Sequence, residues 1–278
     1  MIFYRIKGII SPIFATKQAH SHFSKGGLVM TNKSFLFWMD QGDQPSSVIA
    51  MKLGNTTEPF IVRLTGGCGF MNQADGTRSI RILTKALTGF KGILLYGGTR
   101  VFCPTKDTKS GYRVFPTILE VPPKLRRINP GMLSFGIIPK MTHVEYSRLG
   151  LIIAKDPETG FLTVIHPNQD LCLVLQKNVD QMSFWDAEWI ECLSIIKEFL
   201  AHRTKFGTVL VAYNGGEVTG HEIDAWAEEG LPVILVAGSG RKTDEYCQNL
   251  AWLQKHPSVS VCQNPQEIRQ KISSLGGL

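Results

Sequence analysis

The chain has 278 residues, with 43% hydrophobic, 19% charged and 9% aromatic positions and a formal charge of +7. That length suits one large α/β domain with a sizeable core, and the composition excludes a wholly disordered chain, a collagen and a coiled coil. The basic excess, 30 Lys and Arg against 23 Asp and Glu, points to a polyanion partner only if the charges cluster.

They cluster only at the start. Residues 1–29 carry Arg5, Lys7, Lys17 and Lys25 and no acid, so removing these four from +7 leaves +3 for the rest. Lys25-Gly26-Gly27 can be encoded by a purine-rich stretch like a bacterial ribosome-binding site just upstream of Met30. Residues 1–29 are therefore read as a mis-called extension, with a genuine basic arm as the alternative, and 30–278 as a single domain. Neither interleaved aromatics nor basic runs follow, which argues against nucleic acid. The uncharged stretch from Gly8 to Thr16 contains Pro12 and falls short of the roughly 20 residues that cross a membrane. No small-x-small cleavage site follows it.

From Met30 onward the pattern is regular. Phe35 to Trp38 and Val48 to Leu53 read as a leading hairpin around a turn at 41–47. Phe60 to Thr65 reads as a near-continuous apolar strand, followed by a helix over 73–88 with Ile80, Leu83 and Leu87 on one face. Gly92 to Tyr96 is the next strand, and 103–113 is polar and loop-like. Val114 to Val121, and Met132 to Ile138 after Pro122-Pro123, read as a further strand or two. Leu149 to Ala154 and Phe161 to Ile165 flank Asp156-Pro157-Glu158-Thr159-Gly160, a hairpin signal.

The helix over 185–202 has Trp189, Cys192, Leu193, Ile196, Phe199 and Leu200 on one face. Strands at 208–213, 232–237 and 259–261 alternate with helices at 220–229 and 241–254. Asn264 with Glu267, and Pro265 at the first helical position, cap a terminal helix ending at Gly276-Gly277. Apolar strands alternating with amphipathic helices predict an α/β fold. It is a Rossmann-like, doubly wound, mainly parallel sheet with an inserted β-hairpin.

Six cysteines (68, 103, 172, 192, 247, 262) lie in apolar runs without CxxC spacing, as expected of reduced thiols in a cytoplasmic protein. His20-x-His22 is the only close histidine pair; neither a metal site nor a cofactor is expected.

Four apolar strands end in glycine turns: Gly66-Gly67-Cys68-Gly69, Gly97-Gly98-Thr99, Gly215-Gly216 and Gly238-Ser239-Gly240. In a parallel sheet these ends share one edge, where ligands bind. Each turn is expected to feed a helix whose N-terminus attracts anions. Arg241-Lys242 puts two cations at a positive helix end, an arrangement that a bound anion would favour. Neutralisation by Asp244 and Glu245 is the internal alternative. Arg100, after a glycine turn, is a second anion-contact candidate, with an ordinary surface arginine as the alternative. Thr219 and Glu222 are spaced as a capping box, and Glu222 is also positioned for ribose hydroxyls or proton transfer.

Tyr96-Gly97-Gly98, and Gly215-Gly216 followed by Thr219 and Glu222, resemble the turns of the LONELY GUY phosphoribohydrolases. Gly220-His221-Glu222-Ile223, the strand Pro232 to Val236 and the turn Gly238 to Arg241 resemble more closely the SLOG superfamily. Within it the likeness is to the LSDAT branch, which includes prokaryotic proteins and the N-terminal region of melastatin-type TRP channels. The resemblance spans 60–255 and implies a Rossmann-like domain that binds a nucleotide-derived, phosphate-bearing ligand, such as an ADP-ribose relative, often as a sensor and in the homodimeric state that such folds commonly adopt.

It implies a ligand across Gly66, Gly67, Gly69, Gly97, Gly98, Thr99, Arg100, Gly215, Gly216, Thr219, Glu222, Gly238, Ser239, Gly240 and Arg241. The hydrolase motif departs at Asn214, Val218 and Thr99, and the helix Trp185 to His202 lacks the hydrolase arginine, Arg203 coming only at its end. A non-catalytic binding protein is therefore expected. The alternative is a phosphoribohydrolase cleaving the N-glycosidic bond of a nucleoside monophosphate with Glu222.

Overall fold

The computed structural model describes residues 28–31, 34–38, 49, 59–67, 71–103, 113–114, 117–140, 142–146, 152–155, 162–165, 169–175, 185–202 and 206–278. A nine-stranded sheet forms the centre, in the spatial order β1-β2-β11-β7-β4-β3-β12-β13-β14. Its strands are β1 (Leu28–Thr31), β2 (Ser34–Trp38), β3 (Phe60–Gly66), β4 (Ile93–Tyr96), β7 (Leu133–Ile138), β11 (Leu171–Val174), β12 (Gly207–Tyr213), β13 (Val233–Val236) and β14 (Val259–Cys262). Only β1 runs antiparallel, to β2; the pairings from β2 to β14 are all parallel.

Both sheet faces are buried, which explains why the strands read as continuous apolar runs rather than alternating ones. Phe60, Val62 and Leu64 of β3 point to one face, where α1 (Gln73–Ala86), α2 (Val121–Ile128) and α7 (Pro265–Ser274) contribute Ile80, Leu83, Leu125, Ile268 and Ile272. Ile61 points to the other, beneath α3 (Asp186–His202) and α4 (Glu217–Glu228), with Cys192, Ile196, Phe199, Ile223 and Trp226. The fold is thus the expected Rossmann-like, doubly wound one.

Several elements differ from the sequence reading. β2 forms a hairpin with β1; of the strand expected over 48–53, Ile49 is helical and buried, and the rest lies outside the described residues. From Thr117 to Val121 the chain is not a strand. After β6 (Arg113–Val114) and a 3-10 turn (Ile118–Glu120), Val121 opens α2 with its prolines in the first turn. Proline costs a helix nothing there, because first-turn N–H groups have no intrahelical acceptor.

The inserted hairpin, β9 (Ile152–Lys155) with β10 (Leu162–Ile165), belongs to a larger antiparallel sheet ordered β6-β5-β10-β9-β8. It includes β5 (Thr99–Cys103) and β8 (Thr142–Tyr146). The helix expected over 241–254 is two, α5 (Arg241–Gln248) and α6 (Leu250–Lys255). Asn249 leaves helical geometry between them, and its side chain accepts from the Trp252 N–H at 3.1 Å. The terminal cap is as expected: Asn264 Oδ1 accepts from the N–H of Gln266 and of Glu267, both at 3.0 Å.

Candidate functional site

The chain winds outward from β3 in both directions, first through β4, β7 and β11 and then through β12, β13 and β14, so the topological switch lies between β3 and β12. The four glycine turns end β4, β3, β12 and β13, which are consecutive neighbours in the sheet. Gly66, Gly97, Gly98, Gly215, Gly216, Gly238, Ser239 and Gly240 therefore share the carboxyl edge, where open α/β sheets hold ligands. Cys68 and Gly69 lie outside the described residues.

One expectation fails here. The Gly97-Gly98 turn feeds no helix; it leads into β5, where Thr99 and Arg100 pair with Ile165 and Val164 of β10. That turn supplies backbone but no helix dipole.

Asn214 ties three of the turns together. A Cβ at Gly67 would come within 2.6 Å of Asn214 Oδ1, and one at Gly240 within 3.0 Å of Asn214 Nδ2. The amide donates to Ser239 O at 2.7 Å and its Oδ1 accepts from Gly215 N at 2.8 Å, while Asn214 N donates to Ser239 Oγ at 2.8 Å. Asn214 holds this geometry at φ 63°, a left-handed conformation that asparagine tolerates better than most residues.

The Ser239 and Gly240 N–H groups donate to the Asp244 carboxylate at 3.2 and 2.9 Å. Lys242 Nζ lies 3.2 Å from Glu217 and 3.0 Å from Glu245. Of the internal neutralisation weighed for Arg241-Lys242, Glu245 does serve Lys242, with Glu217 as its second partner; Asp244 serves the turn amides. The exposed Arg241 side chain packs over Gly216, where a Cβ would sit 3.0 Å from Nη2.

The capping box is not formed. Gly215, at φ 91°, turns the chain straight into α4, so the N-cap is Gly216 and the first helical bond is Gly220 N to Gly216 O at 3.0 Å. Thr219 and Glu222 consequently lie inside the helix, both buried. Among the described residues no side chain caps the helix start. Its first N–H groups point to the carboxyl edge beside Arg241, an arrangement that suits an anion.

Glu222 instead faces a residue that sequence reasoning passed over. Arg63, in the middle of β3 and 2% exposed, donates from Nε to Glu222 Oε1 at 2.6 Å and from Nη2 to Glu222 Oε2 at 3.2 Å. Its Nη2 also donates to Glu188 Oε1 of α3 at 2.7 Å, and among the described residues its buried Nη1 has no hydrogen-bond partner. Burial works against the guanidinium charge, but Glu222 and Glu188 outweigh it and hold the pKa above normal. Burial likewise pushes the Glu188 carboxyl up, opposed by Arg63 and assisted by Glu222.

The cluster reaches the edge at Gly97, where a Cβ would lie 2.6 Å from Glu188 Oε2. The signal in the sequence was one charge inside the run Phe60 to Leu64: a buried arginine must find carboxylates. Beside the cluster, buried Asp186 accepts from Trp189 Nε1 at 2.6 Å and contacts His221 Nδ1 at 3.1 Å.

Among the described residues, no group of three or more His, Cys, Asp or Glu is arranged to hold a metal ion, and no helix is long and apolar enough to cross a membrane. Cys172, Cys192, Cys247 and Cys262 are free thiols.

The chain matches no protein-family model and no curated protein. Among solved structures it is similar to the molybdenum cofactor binding protein from the phototrophic bacterium Rippkaea orientalis, at 17% identity and TM-score 0.47, over 79% of this chain and 98% of that one. It is also similar to the molybdenum cofactor carrier protein from Chlamydomonas reinhardtii, at 15% identity and TM-score 0.47, over 80% of this chain and 99% of that one.

Proposed function

We propose that this chain is a SLOG-type protein of the LSDAT branch that binds a nucleotide-derived, phosphate-bearing ligand at the carboxyl edge between β3 and β12. The observation that carries the reading is the uncapped start of α4 at the switch point, with the Arg241 guanidinium over Gly216. A phosphate there gains the helix N–H groups and a cation together. Gly66, Gly67, Gly97 and Gly98 form the floor beside it, and Ser239 and Gly240 contribute shape rather than amides, since Asp244 already accepts both.

A second reading, N-glycosidic phosphoribohydrolysis, gains from one observation. The arginine missing from the helix before the motif has a counterpart in β3, because Arg63 grips Glu222 through two nitrogens. The same grip counts against catalysis as it stands, because Glu222 is 1% exposed. Binding without turnover is the better fit.

Thermal shift and free-base release measured together, with AMP, ADP-ribose and the molybdenum cofactor as ligands, test both readings. Stabilisation without base release, reduced in Arg241→Gln, supports the sensor. Base release that disappears in a folded Glu222→Gln variant supports the hydrolase. No stabilisation by any of the three would sink the binding reading.

A further inference from the structure

Glu188, in the first turn of α3, uses only one of its carboxylate oxygens inside the Arg63 cluster. Its Oε1 accepts from Arg63 Nη2 at 2.7 Å, and its Oε2 makes no hydrogen bond among the described residues. The side chain is 13% exposed, and Oε2, unlike Arg63 Nη1, is not sealed from solvent. Glu222, which its place in the sequence suggests for a ribose, has no such freedom. It is 1% exposed, and Arg63 engages both of its oxygens.

Gly97 fixes where the free oxygen lies. A Cβ there would meet Glu188 Oε2 at 2.6 Å and Oε1 at 2.8 Å, so the carboxylate rests against the turn that ends β4, on the carboxyl edge. Only β3 separates β4 from β12, which sets the two turns about 10 Å apart. A phosphate at the start of α4, the sugar attached to it and a hydrogen bond at each end, about 3 Å apiece, cover that distance.

Charge and hydrogen-bonding capacity decide what the free oxygen can take. One guanidinium against two carboxylates leaves the cluster net negative, so a second phosphate is repelled. Nη1 and Nη2 form one edge of the planar guanidinium; Glu188 meets that edge through Nη2, and Nη1 is buried without a partner among the described residues. The pair thus offers an acceptor in Oε2 and an unused donor in Nη1. A hydroxyl both donates and accepts, whereas an ammonium has no lone pair to offer.

We propose, on the footing of a nucleotide whose phosphate sits at the start of α4, that Glu188 recognises the sugar, its Oε2 accepting from one ribose hydroxyl beside Gly97. Arg63 is the positioning residue that holds the carboxylate against the turn. The ligand class narrows accordingly to ribonucleotides, with deoxy sugars disfavoured.

The test is calorimetric titration of the full chain with AMP, 2′-deoxy-AMP and 3′-deoxy-AMP, repeated on Glu188→Gln. At least one deoxy compound is expected to bind the wild type about tenfold more weakly than AMP, the loss of a hydrogen bond to a charged acceptor. In Glu188→Gln the gap between AMP and that compound is expected to close to under about twofold. A merely structural glutamate would lower all three ligands alike and leave the gap open. Arg241→Gln, which removes a phosphate contact common to all three, is expected to weaken them together and preserve the gap.

Binding of both deoxy compounds by the wild type as tightly as AMP overturns the assignment, as does a gap that persists, or an equal loss of all three ligands, in Glu188→Gln. Each of these leaves the binding reading standing, since AMP binds. Binding heat from none of the three overturns the assignment as well, and the broader reading then turns on ADP-ribose and the molybdenum cofactor.

Discussion

Replacing Arg63 by Met isolates the buried charge cluster. Met fills much the same channel but leaves Glu222 and Glu188, at 1% and 13% side-chain exposure, without the guanidinium that both now contact. Breaking a buried ion pair by removing one partner costs about 3–5 kcal/mol, and the loss here is expected in that range at about pH 7.5. It is read as a fall in the urea midpoint at unchanged m-value.

The loss is also expected to depend on pH. Without Arg63 nothing opposes the burial that raises the Glu188 pKa, so folding takes up a proton there. The variant then gains stability as pH falls, by about 1.4 kcal/mol per unit while one proton is taken up. The deficit against wild type should therefore narrow towards about pH 5. Adding Glu188→Gln and Glu222→Gln to Arg63→Met should restore much of the loss, since neutral amides need no counter-ion. A deficit below about 1 kcal/mol, or one constant across the pH range, would refute the reasoning; the cost would then be a packing defect.

Glu188→Gln tests the raised Glu188 pKa. Ionising a carboxyl whose folded pKa is raised removes stability as pH rises through that value, so wild type should lose ground to the variant between acid and neutral pH; parallel melting-temperature curves would contradict this. Gly97→Ala puts a methyl 2.6 Å from Glu188 Oε2, and because Arg63 holds that carboxylate, a destabilisation of about 1–3 kcal/mol is expected in chemical denaturation. Asn214→Ala removes the bonds to Ser239 O and Gly215 N and keeps the φ of 63°. Its loss should exceed that of Asn214→Gly, which relieves the backbone. Burial, with the Asp244 charge second, pushes the Cys247 thiol up to about 12. Alkylation at neutral pH should accordingly be slow at Cys247 and slower at the buried Cys172, Cys192 and Cys262 until denaturant is added, as peptide mapping would record.

Periodicity within a short window settled most of the elements. The apolar run of β3, the stripe of α3 and the Asn264 cap each depend on neighbours a few residues away, and they form as read. The helix at Val121 was misread for a local reason: two prolines break a strand and open a helix equally well, and only packing against Leu119 and Met132 in the core chose between them. The capping box at Thr219 and Glu222 failed similarly. Gly215 and Gly216 had already begun the helix, which turned both residues inward.

What the sequence by itself determined is the alternation that makes the sheet parallel, and with it the convergence of the glycine turns on one edge. The tertiary structure alone decided what those turns surround. Arg63 meets Glu188 and Glu222 across 125 and 159 residues of chain, and Arg78 meets Gly238 across 160. Spacing along the chain carries no information about such partners. Packing does, because a charge or hydroxyl driven into the core by its neighbours must take whatever partner the fold brings to it, or go without, as the hydroxyl of Tyr213 at the end of β12 does among the described residues.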